Sequence, residues 1–192
     1  MRHDNFIHPD RFTAIRSRGF LPHWIVNEAV YFVTFSLKDA LPAHVIRELF
    51  EERQRLQRGV TDSTRRAHLD RALQLRADSE LDAGRGSCVL AQHANLVADA
   101  LKHFDGTRYD LHAWCVMPNH VHAMFYVERG EDVAAILHSW KSYTAHRIGL
   151  GPIWQREYFD RIVRGDREFE TTRGYVRANP EKARLVDWPW VG

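Results

Sequence analysis

Cysteine, long apolar runs and a dominant sign of charge are all scarce in this chain of 192 residues. The two cysteines, Cys88 and Cys115, are isolated in short apolar stretches, which predicts buried side chains and excludes a disulfide scaffold or a zinc knuckle. No run of about 18 apolar residues occurs, and the polar start, Met1–Asn5, lacks the apolar segment of a signal peptide. We therefore expect a cytoplasmic protein with no membrane partner.

The net charge of +2 is too small to indicate a nucleic-acid partner, but the charge is unevenly distributed. Ten basic residues stand against six acidic ones between positions 141 and 184. Such a local excess suits phosphate contacts, although a mixed run is also typical of a solvated helix face. Hydrophobic residues make up 44% and charged residues 27%, which is typical of a globular chain, and its length fits one domain over residues 1–192.

The pattern of apolar residues predicts alternating strands and helices. We expect a first strand over 29–37, a helical hairpin over 43–82, and a short strand at 88–90 followed by a helix over 94–104. Pro118-Asn119 favours a turn between strands 111–117 and 121–127. A helix over 132–148, an extended segment over 158–164, a last helix over 166–178 and a tail over 185–192 complete the chain. This order predicts an α+β fold, an antiparallel sheet with helices mainly on one face.

Two histidines with one residue between them begin the strand 121–127. Side chains alternate along a strand, so His120 and His122 point to the same side of the sheet, where two imidazoles could bind one metal ion. The chain has twelve histidines, however, and the spacing alone does not distinguish a metal-binding pair from two unrelated residues.

Tyr175 and Asn179 are four residues apart and lie on one face of the last predicted helix. An amide oxygen could complete a metal site there, beside a phenol. Taken alone, the pair is better interpreted as a core tyrosine and an asparagine that ends the helix before Pro180.

A set of motifs in order along the chain changes this interpretation. It resembles the HUH (His-hydrophobic-His) single-tyrosine transposases, and specifically the REP-associated tyrosine transposases, relatives of the transposases of the insertion sequence 200/605 type. The residues that carry the resemblance are Trp114 to His122, Trp154-Gln155, Tyr158, Arg164 and Tyr175 to Ala183.

The resemblance implies a ferredoxin-like HUH domain over residues 1–192 with an inserted helical hairpin at 43–82. It also implies that His120 and His122 bind a divalent metal, Mg²⁺ or Mn²⁺, and that Tyr175 is the nucleophile. Asn179 takes the place of the third ligand, where relatives outside this branch tend to carry glutamine. The implied activity is cleavage and rejoining of single-stranded DNA at palindromic repeat hairpins through a covalent 5′-phosphotyrosine, by a monomer or a homodimer.

Tyr143 and Tyr158 compete for the role of nucleophile. Neither is followed four residues later by asparagine or glutamine, which favours Tyr175. Apolar spacing predicts Tyr143 in the core, while Tyr158 could line the path of the DNA. Candidate DNA contacts follow from charge and aromatic character, with Trp188 as a further stacking platform; they are Arg147, Arg156, Arg161, Arg164, Arg173, Arg177 and Trp154.

Two other functions remain open from the sequence. One is a non-catalytic protein that binds DNA hairpins and derives from a transposase. The other is a metal-dependent hydrolase that uses the two histidines and a water molecule, which would leave no covalent link to DNA.

Overall fold

The computed structural model describes residues 12–17, 22–26, 28–59 and 63–192. In chain order its elements are β1 (Phe12–Ser17), β2 (Pro22–Val26), β3 (Val30–Ser36), α1 (Ala43–Gly59), α2 (Ser63–Asp82), α3 (Leu90–Lys102), β4 (Tyr109–Val116), β5 (His120–Val127), α4 (Val133–Ile148), β6 (Phe159–Ile162), α5 (Gly165–Arg177) and α6 (Asn179–Lys182). No helix in these ranges is long and apolar enough to cross a membrane.

The main sheet has four strands in the order β4-β5-β3-β6, and every pair of neighbours is antiparallel. The interior strands β3 and β5 are runs of β-branched, aromatic and apolar residues, buried along their whole length. The strand order and the helical crossovers give a ferredoxin-like arrangement, which confirms the predicted α+β class. β1 and β2 form a separate antiparallel pair.

Alternation along β3 divides the sheet into two faces. Tyr31, Val33 and Phe35 lie in the larger core, which α3 and α4 cover. Val30 and Phe32 point to the opposite face and lie in a smaller apolar cluster, against which α5 packs. Polar side chains can therefore gather on the α5 face without interrupting the main core.

The helical hairpin of α1 and α2 packs against the same core as α3 and α4, through Leu49 on α1 and Leu73, Ala77 and Leu81 on α2. Arg53 ties α1 to the sheet, because its Nη2 donates to the Asp160 carbonyl oxygen at 3.0 Å and lies 3.4 Å from the Asp160 carboxylate. The predicted hairpin is therefore present in the fold.

The sequence features around α4 fix both of its ends. The side chain of Asp132 accepts a hydrogen bond from the Ala134 amide at 3.1 Å, as an N-cap residue does. Gly149 has φ 76°, the left-handed conformation that glycine adopts without strain, and its amide donates to the Ala145 carbonyl oxygen. The prediction of a helix over 132–148 is correct to within one residue.

Several local predictions are wrong. The segment 88–90 is a turn that leads into α3, with Leu90 as the first helical residue and Cys88 at φ 49°, so three apolar residues were too short a pattern to separate strand from helix. Cys115 is buried as expected, whereas Cys88 is half-buried. The polar leader contains β1 and β2, which the pattern did not predict. The helix predicted over 166–178 is correct, since α5 ends at Arg177, but Asn179 then begins the short helix α6, which was not predicted.

Candidate active site

The two histidines of β5 converge on the α5 face of the sheet. Their cross-strand partners on β3 are Ser36 for His120 and Thr34 for His122, and both imidazoles are completely buried. Their Nε2 atoms are 3.0 Å apart, and the rings are nearly perpendicular, at 80°. The strand alternation that predicted a converging pair therefore holds in the structure.

Hydrogen bonds to the other ring nitrogens orient both imidazoles. Nδ1 of His120 lies 2.7 Å from Oδ1 of Asn119, an oxygen that can only accept, so His120 carries its proton on Nδ1. Nδ1 of His122 lies 2.8 Å from Oγ1 of Thr34, which also accepts a hydrogen bond from Nε2 of Gln74 at 3.1 Å. When His122 also carries its proton on Nδ1 and donates it to Thr34, both Nε2 lone pairs face the same point, as in a metal site whose ligands are fixed by outer hydrogen bonds.

Burial also keeps both rings neutral. Loss of solvent lowers the pKa of His120 well below its usual value, and the neighbouring His122 lowers it further. Burial lowers the pKa of His122 to about 3, although Asn179 partly opposes the shift. A neutral imidazole is the form that binds a metal ion.

Tyr175 of α5 lies beside the histidines of its own chain. Its ring centroid is 5.9 Å from that of His122 and 6.1 Å from that of Phe32, with edge-to-face geometry in both cases. The phenol donates a hydrogen bond of 2.7 Å to Oδ2 of Asp78, and Nζ of Lys182 lies 4.2 Å from the ring centroid. The predicted nucleophile thus has a fixed orientation and carries its proton.

Asn179 has a buried amide that faces the same site. Its side chain is fully buried and lies close enough to raise the pKa of His122 and to lower the pKa of Tyr175. Neither its Oδ1 nor its Nδ2 has a hydrogen-bond partner with good geometry among the described residues. A buried amide without a hydrogen-bond partner is energetically unfavourable unless another group binds its oxygen and nitrogen. A metal ligand role for Oδ1 would remove this penalty.

The residues present fit a divalent cation. Two Nε2 atoms 3.0 Å apart match neighbouring ligands of an octahedral ion, which lie about 3.0 Å apart when each bond is about 2.1 Å. Oδ1 of Asp82 lies 3.8 Å from Nε2 of His120 and is buried without a hydrogen-bond partner among the described residues. Among the described residues no group of three His, Cys, Asp or Glu residues is arranged to hold a metal, so Asn179 would be needed as the third ligand beside His120 and His122.

Three charged residues at the site were not predicted as site residues. Asp78 and Asp82 of α2, one turn apart, point to the tyrosine and to the histidine pair respectively. Lys182 continues the series Tyr175 and Asn179 at helical spacing, and this signal was visible in the sequence. The position of α2 beside the site was not visible in the sequence, because it depends on how the hairpin packs against the sheet.

The predicted DNA contacts are spread over the fold. Arg161 lies close to the site: it donates to Thr172 at 2.7 Å, pairs with Glu168, and its charge lowers the pKa of Asp78. Arg173 pairs with Glu170 at 2.6 Å. The remaining arginines are exposed; they are Arg147, Arg156, Arg164 and Arg177.

The two predicted stacking tryptophans are half-buried and hydrogen-bonded. Trp154 packs on Phe35, with ring centroids 5.0 Å apart, and its Nε1 donates to Thr144. Trp188 donates from Nε1 to the Val116 carbonyl oxygen at 2.8 Å. The structure thus places both indoles in packed positions.

The competing tyrosines lie elsewhere. Tyr143 is 48% exposed, so its prediction as a core residue is wrong; it sits on the outer side of α4, whose apolar face carries Ile136 and Trp140. Tyr158, expected to line the path of the DNA, is buried in the main core. In the described structure Tyr175 is the tyrosine whose ring contacts the histidine pair.

Comparison with known proteins finds a matching family, a related protein and a similar solved structure. The family described as "Transposase IS200 like" matches residues 92–179, slightly less than half of the chain. A REP-associated tyrosine transposase of Escherichia coli (strain K12) is 26% identical over 87 residues, which cover 43% of this chain and 53% of that protein. A solved structure of a REP-associated tyrosine transposase bound to a REP hairpin has a TM-score of 0.53 and 16% identity, covering 93% of this chain and 82% of the other, a likeness that shows the shared fold.

Proposed function

We propose that the chain cleaves and rejoins single-stranded DNA with Tyr175 as the nucleophile, on the premise that residues 92–179, which match the family described as "Transposase IS200 like", act as such a transposase. The observation that carries the proposal is the convergence of four groups of one chain on the α5 face, the Nε2 atoms of His120 and His122, the buried amide of Asn179 and the phenol of Tyr175. The chain spans about half the length of the E. coli relative, so the activity is proposed for this chain from its own site.

We further propose that His120, His122 and Asn179 bind Mg²⁺ or Mn²⁺, with Asp82 as an additional carboxylate ligand. Both ions accept mixed nitrogen and oxygen ligands and also bind phosphate oxygens. When bound, the ion would neutralise charge on the scissile phosphate and help to orient it. The surrounding residues hold the two imidazoles neutral and correctly turned for this role.

In the proposed cleavage step the Tyr175 oxygen attacks phosphorus. One bond forms between the phenol oxygen and phosphorus, and the bond from phosphorus to the 3′ oxygen breaks, so the phenol loses its proton and the leaving 3′ oxygen gains one from solvent. The DNA on the 3′ side of the cut stays attached to the protein through a 5′-phosphotyrosine. A 3′ hydroxyl can reverse the reaction, which allows rejoining without a nucleotide cofactor.

We propose a folded single strand, a repeat hairpin, as the substrate, because a structurally similar transposase is bound to a REP hairpin. A small cavity beside the nucleophile is lined by Arg71, Asp78, Arg161 and Tyr175. We propose that both guanidinium groups contact phosphates next to the cut, Arg161 in exchange for its pairing with Glu168. The other contacts proposed for the DNA strand are Arg147, Arg156, Arg164, Arg173, Arg177 and Trp154.

The test uses a hairpin oligonucleotide with a fluorophore on its 3′ end, incubated with the protein and Mg²⁺ or Mn²⁺ and analysed on a denaturing gel. We expect a fluorescent band at the position of the protein, resistant to denaturation, which Tyr175→Phe abolishes. Tyr143→Phe is the matched control, because Tyr143 is exposed on α4, across the sheet from the site, and it should leave the band unchanged.

Each alternative gives a different result. A hairpin-binding protein without catalytic activity would bind the oligonucleotide and leave it intact. A metal-dependent hydrolase would shorten the oligonucleotide without forming an adduct, and Tyr175→Phe would then retain activity. An adduct that persists in Tyr175→Phe would show that the nucleophile is another residue.

A further inference from the structure

The hydrogen bond between Tyr175 and Asp78 joins the proposed nucleophile to the helical hairpin. We propose that Asp78 is the base that takes the phenol proton as Tyr175 attacks the DNA, so that α2 supplies a catalytic residue. This inference rests on the proposed function, because it assigns the proton acceptor for that same reaction.

The geometry of the contact fits direct proton transfer. Oδ2 of Asp78 is 2.7 Å from the phenol oxygen, within the range in which a base can accept a proton. Because Asp78 is only 1% exposed, water does not compete for its carboxylate. Its Oδ1 makes no hydrogen bond to the described residues. Phe32 and His122 hold the tyrosine ring from its sides.

The surroundings of Asp78 give it the basicity that this role needs. Its pKa is raised to about 7, because burial and the charge of Asp82 outweigh the opposing effects of the hydrogen bond from Tyr175 and the charge of Arg161. Arg71 of α2 lines the same small cavity. A base with a pKa near the working pH is both available in its ionised form and strong enough to accept a proton.

The same surroundings make an unassisted phenolate unfavourable. Burial raises the pKa of Tyr175 above its usual value, and the charge and hydrogen bond of Asp78 raise it further. The phenol is therefore protonated at neutral pH, and its proton must leave as the bond to phosphorus forms. Asp78 gains that proton, its negative charge disappears, and the repulsion between the carboxylate and the developing charge on the tyrosine oxygen is avoided.

Neighbouring groups are less suited to this role. The two imidazoles direct their Nε2 atoms to the proposed metal, and their Nδ1 atoms are hydrogen-bonded to Asn119 and Thr34, so neither ring nitrogen is directed at the phenol. Lys182 lies over the face of the tyrosine ring, where its ammonium can attract a phosphate.

The test compares Asp78→Asn with wild type and with Asp99→Asn, an exposed aspartate of α3 as the matched control. Asparagine keeps an oxygen that can accept the hydrogen bond but cannot take the proton at neutral pH. With hairpin DNA and saturating Mn²⁺ at pH 7.5, we expect adduct formation to fall by about 10²-fold or more in Asp78→Asn, without a loss of hairpin affinity and with no effect of Asp99→Asn. Replacing Tyr175 with the more acidic difluorotyrosine should restore part of the lost rate, which a purely structural role would not.

A second measurement needs no variant. In wild type the rate of adduct formation should rise with pH as Asp78 ionises, through a pKa above that of an ordinary aspartate, and then level off. A tenfold rise with each further pH unit up to 9 would mean that free phenolate is the reactive species, and would overturn the inference. So would an Asp78→Asn rate within about threefold of wild type, since general base catalysis contributes about 10²-fold or more.

A third readout separates failure of this inference from failure of the proposed function. In protein labelled with ¹³C at the tyrosine ring, without DNA or metal, Asp78→Asn should lower the pKa of Tyr175, because it removes a negative charge 2.7 Å from the phenol. If wild type forms no adduct, the proposed function is wrong whatever this measurement gives. If the adduct forms but neither the rate nor the phenol pKa depends on Asp78, only the present inference is wrong.

Discussion

Asn119 connects the end of α2 to the histidine pair. Its Oδ1 accepts the Nδ1 proton of His120 at 2.7 Å, while its Nδ2 donates to the carbonyl oxygens of Leu81 and Arg85 at 3.0 and 3.1 Å. The turn residue that was expected only to separate two strands therefore determines the tautomer and the direction of an imidazole that we propose as a metal ligand.

Asn119→Ala should weaken the binding of Mn²⁺ by about 10- to 100-fold, because a metal-binding histidine that loses its outer hydrogen bond is no longer held in place. Isothermal titration calorimetry without DNA measures this directly. Asn95→Ala on the exposed side of α3 is the control and should bind as wild type does. Equal affinities for both variants would show that Asn119 has no role in metal binding.

Asp82→Asn should also weaken the binding of Mn²⁺, since the variant removes a negative charge 3.8 Å from Nε2 of His120. We expect a loss of about tenfold in the same calorimetric experiment. Glu80→Gln is the control: Glu80 lies on the same helix but pairs with Arg85 at 2.9 Å. A larger effect of Glu80→Gln would point to the overall charge of α2 rather than to a ligand.

Lys182→Gln should weaken hairpin binding and lower its salt dependence. Removing one phosphate contact reduces the slope of log affinity against log salt by about 0.7 for a single strand and about 0.9 for a duplex. Fluorescence anisotropy at several salt concentrations gives the slope. Lys102→Gln on α3, across the sheet from the site, is the control, and an equal decrease for both lysines would indicate non-specific attraction.

The histidine pair illustrates what a sequence can predict about a site. Strand alternation alone places His120 and His122 on one side of the sheet, and helical spacing alone places Tyr175, Asn179 and Lys182 on one face. These are local periodicities, and a correct assignment of strand or helix is enough to use them. The proposal that Tyr175 is the nucleophile came instead from the resemblance to known transposases.

The positions of Asp78 and Asp82 at the site could not be predicted from local sequence patterns. Both are acidic residues of a helix rich in charged residues, and nothing in their spacing distinguishes them from residues of a solvated face. Their role depends on α2 reaching the α5 face of the sheet, about a hundred residues away from Tyr175 in sequence. Tyr143 shows the converse: apolar spacing predicted burial, but the ring lies on the outer side of α4.

Lys141 should make stability depend on pH in the alkaline range. Burial lowers its pKa to about 8, although Nζ donates to the carbonyl oxygens of Gln155 and Arg156. Between pH 8 and about 10.4, the value in an unfolded chain, the unfolded state binds more protons than the folded state, so the free energy of unfolding should rise with pH.

Wild type should therefore gain about 1 kcal/mol per pH unit relative to Lys141→Met across this window. Urea unfolding of both proteins at pH 7, 8, 9 and 10 gives the difference and cancels the titration of other groups. If the difference stays constant with pH, the Lys141 ammonium is solvated and its pKa is not lowered.

The tail covers the outer edge of β4. Trp114 exchanges two backbone hydrogen bonds with Gly192, both 3.0 Å, and the Val116 amide donates to the Trp190 carbonyl oxygen at 3.0 Å. Nε1 of Trp188 adds a bond to the Val116 carbonyl oxygen. An uncovered strand edge is a template for pairing with a second chain.

Deleting residues 188–192 should lower the free energy of unfolding by about 3–4 kcal/mol, because four hydrogen bonds at about 1 kcal/mol each are lost. It should also increase self-association, since the β4 edge becomes available, and light scattering at rising protein concentration would detect this. Val186→Asp at the 84% exposed position just before the deletion is the control and should change stability by less than about 0.5 kcal/mol. A truncated chain with the stability and mass of the intact chain would show that the tail does not protect this edge in solution.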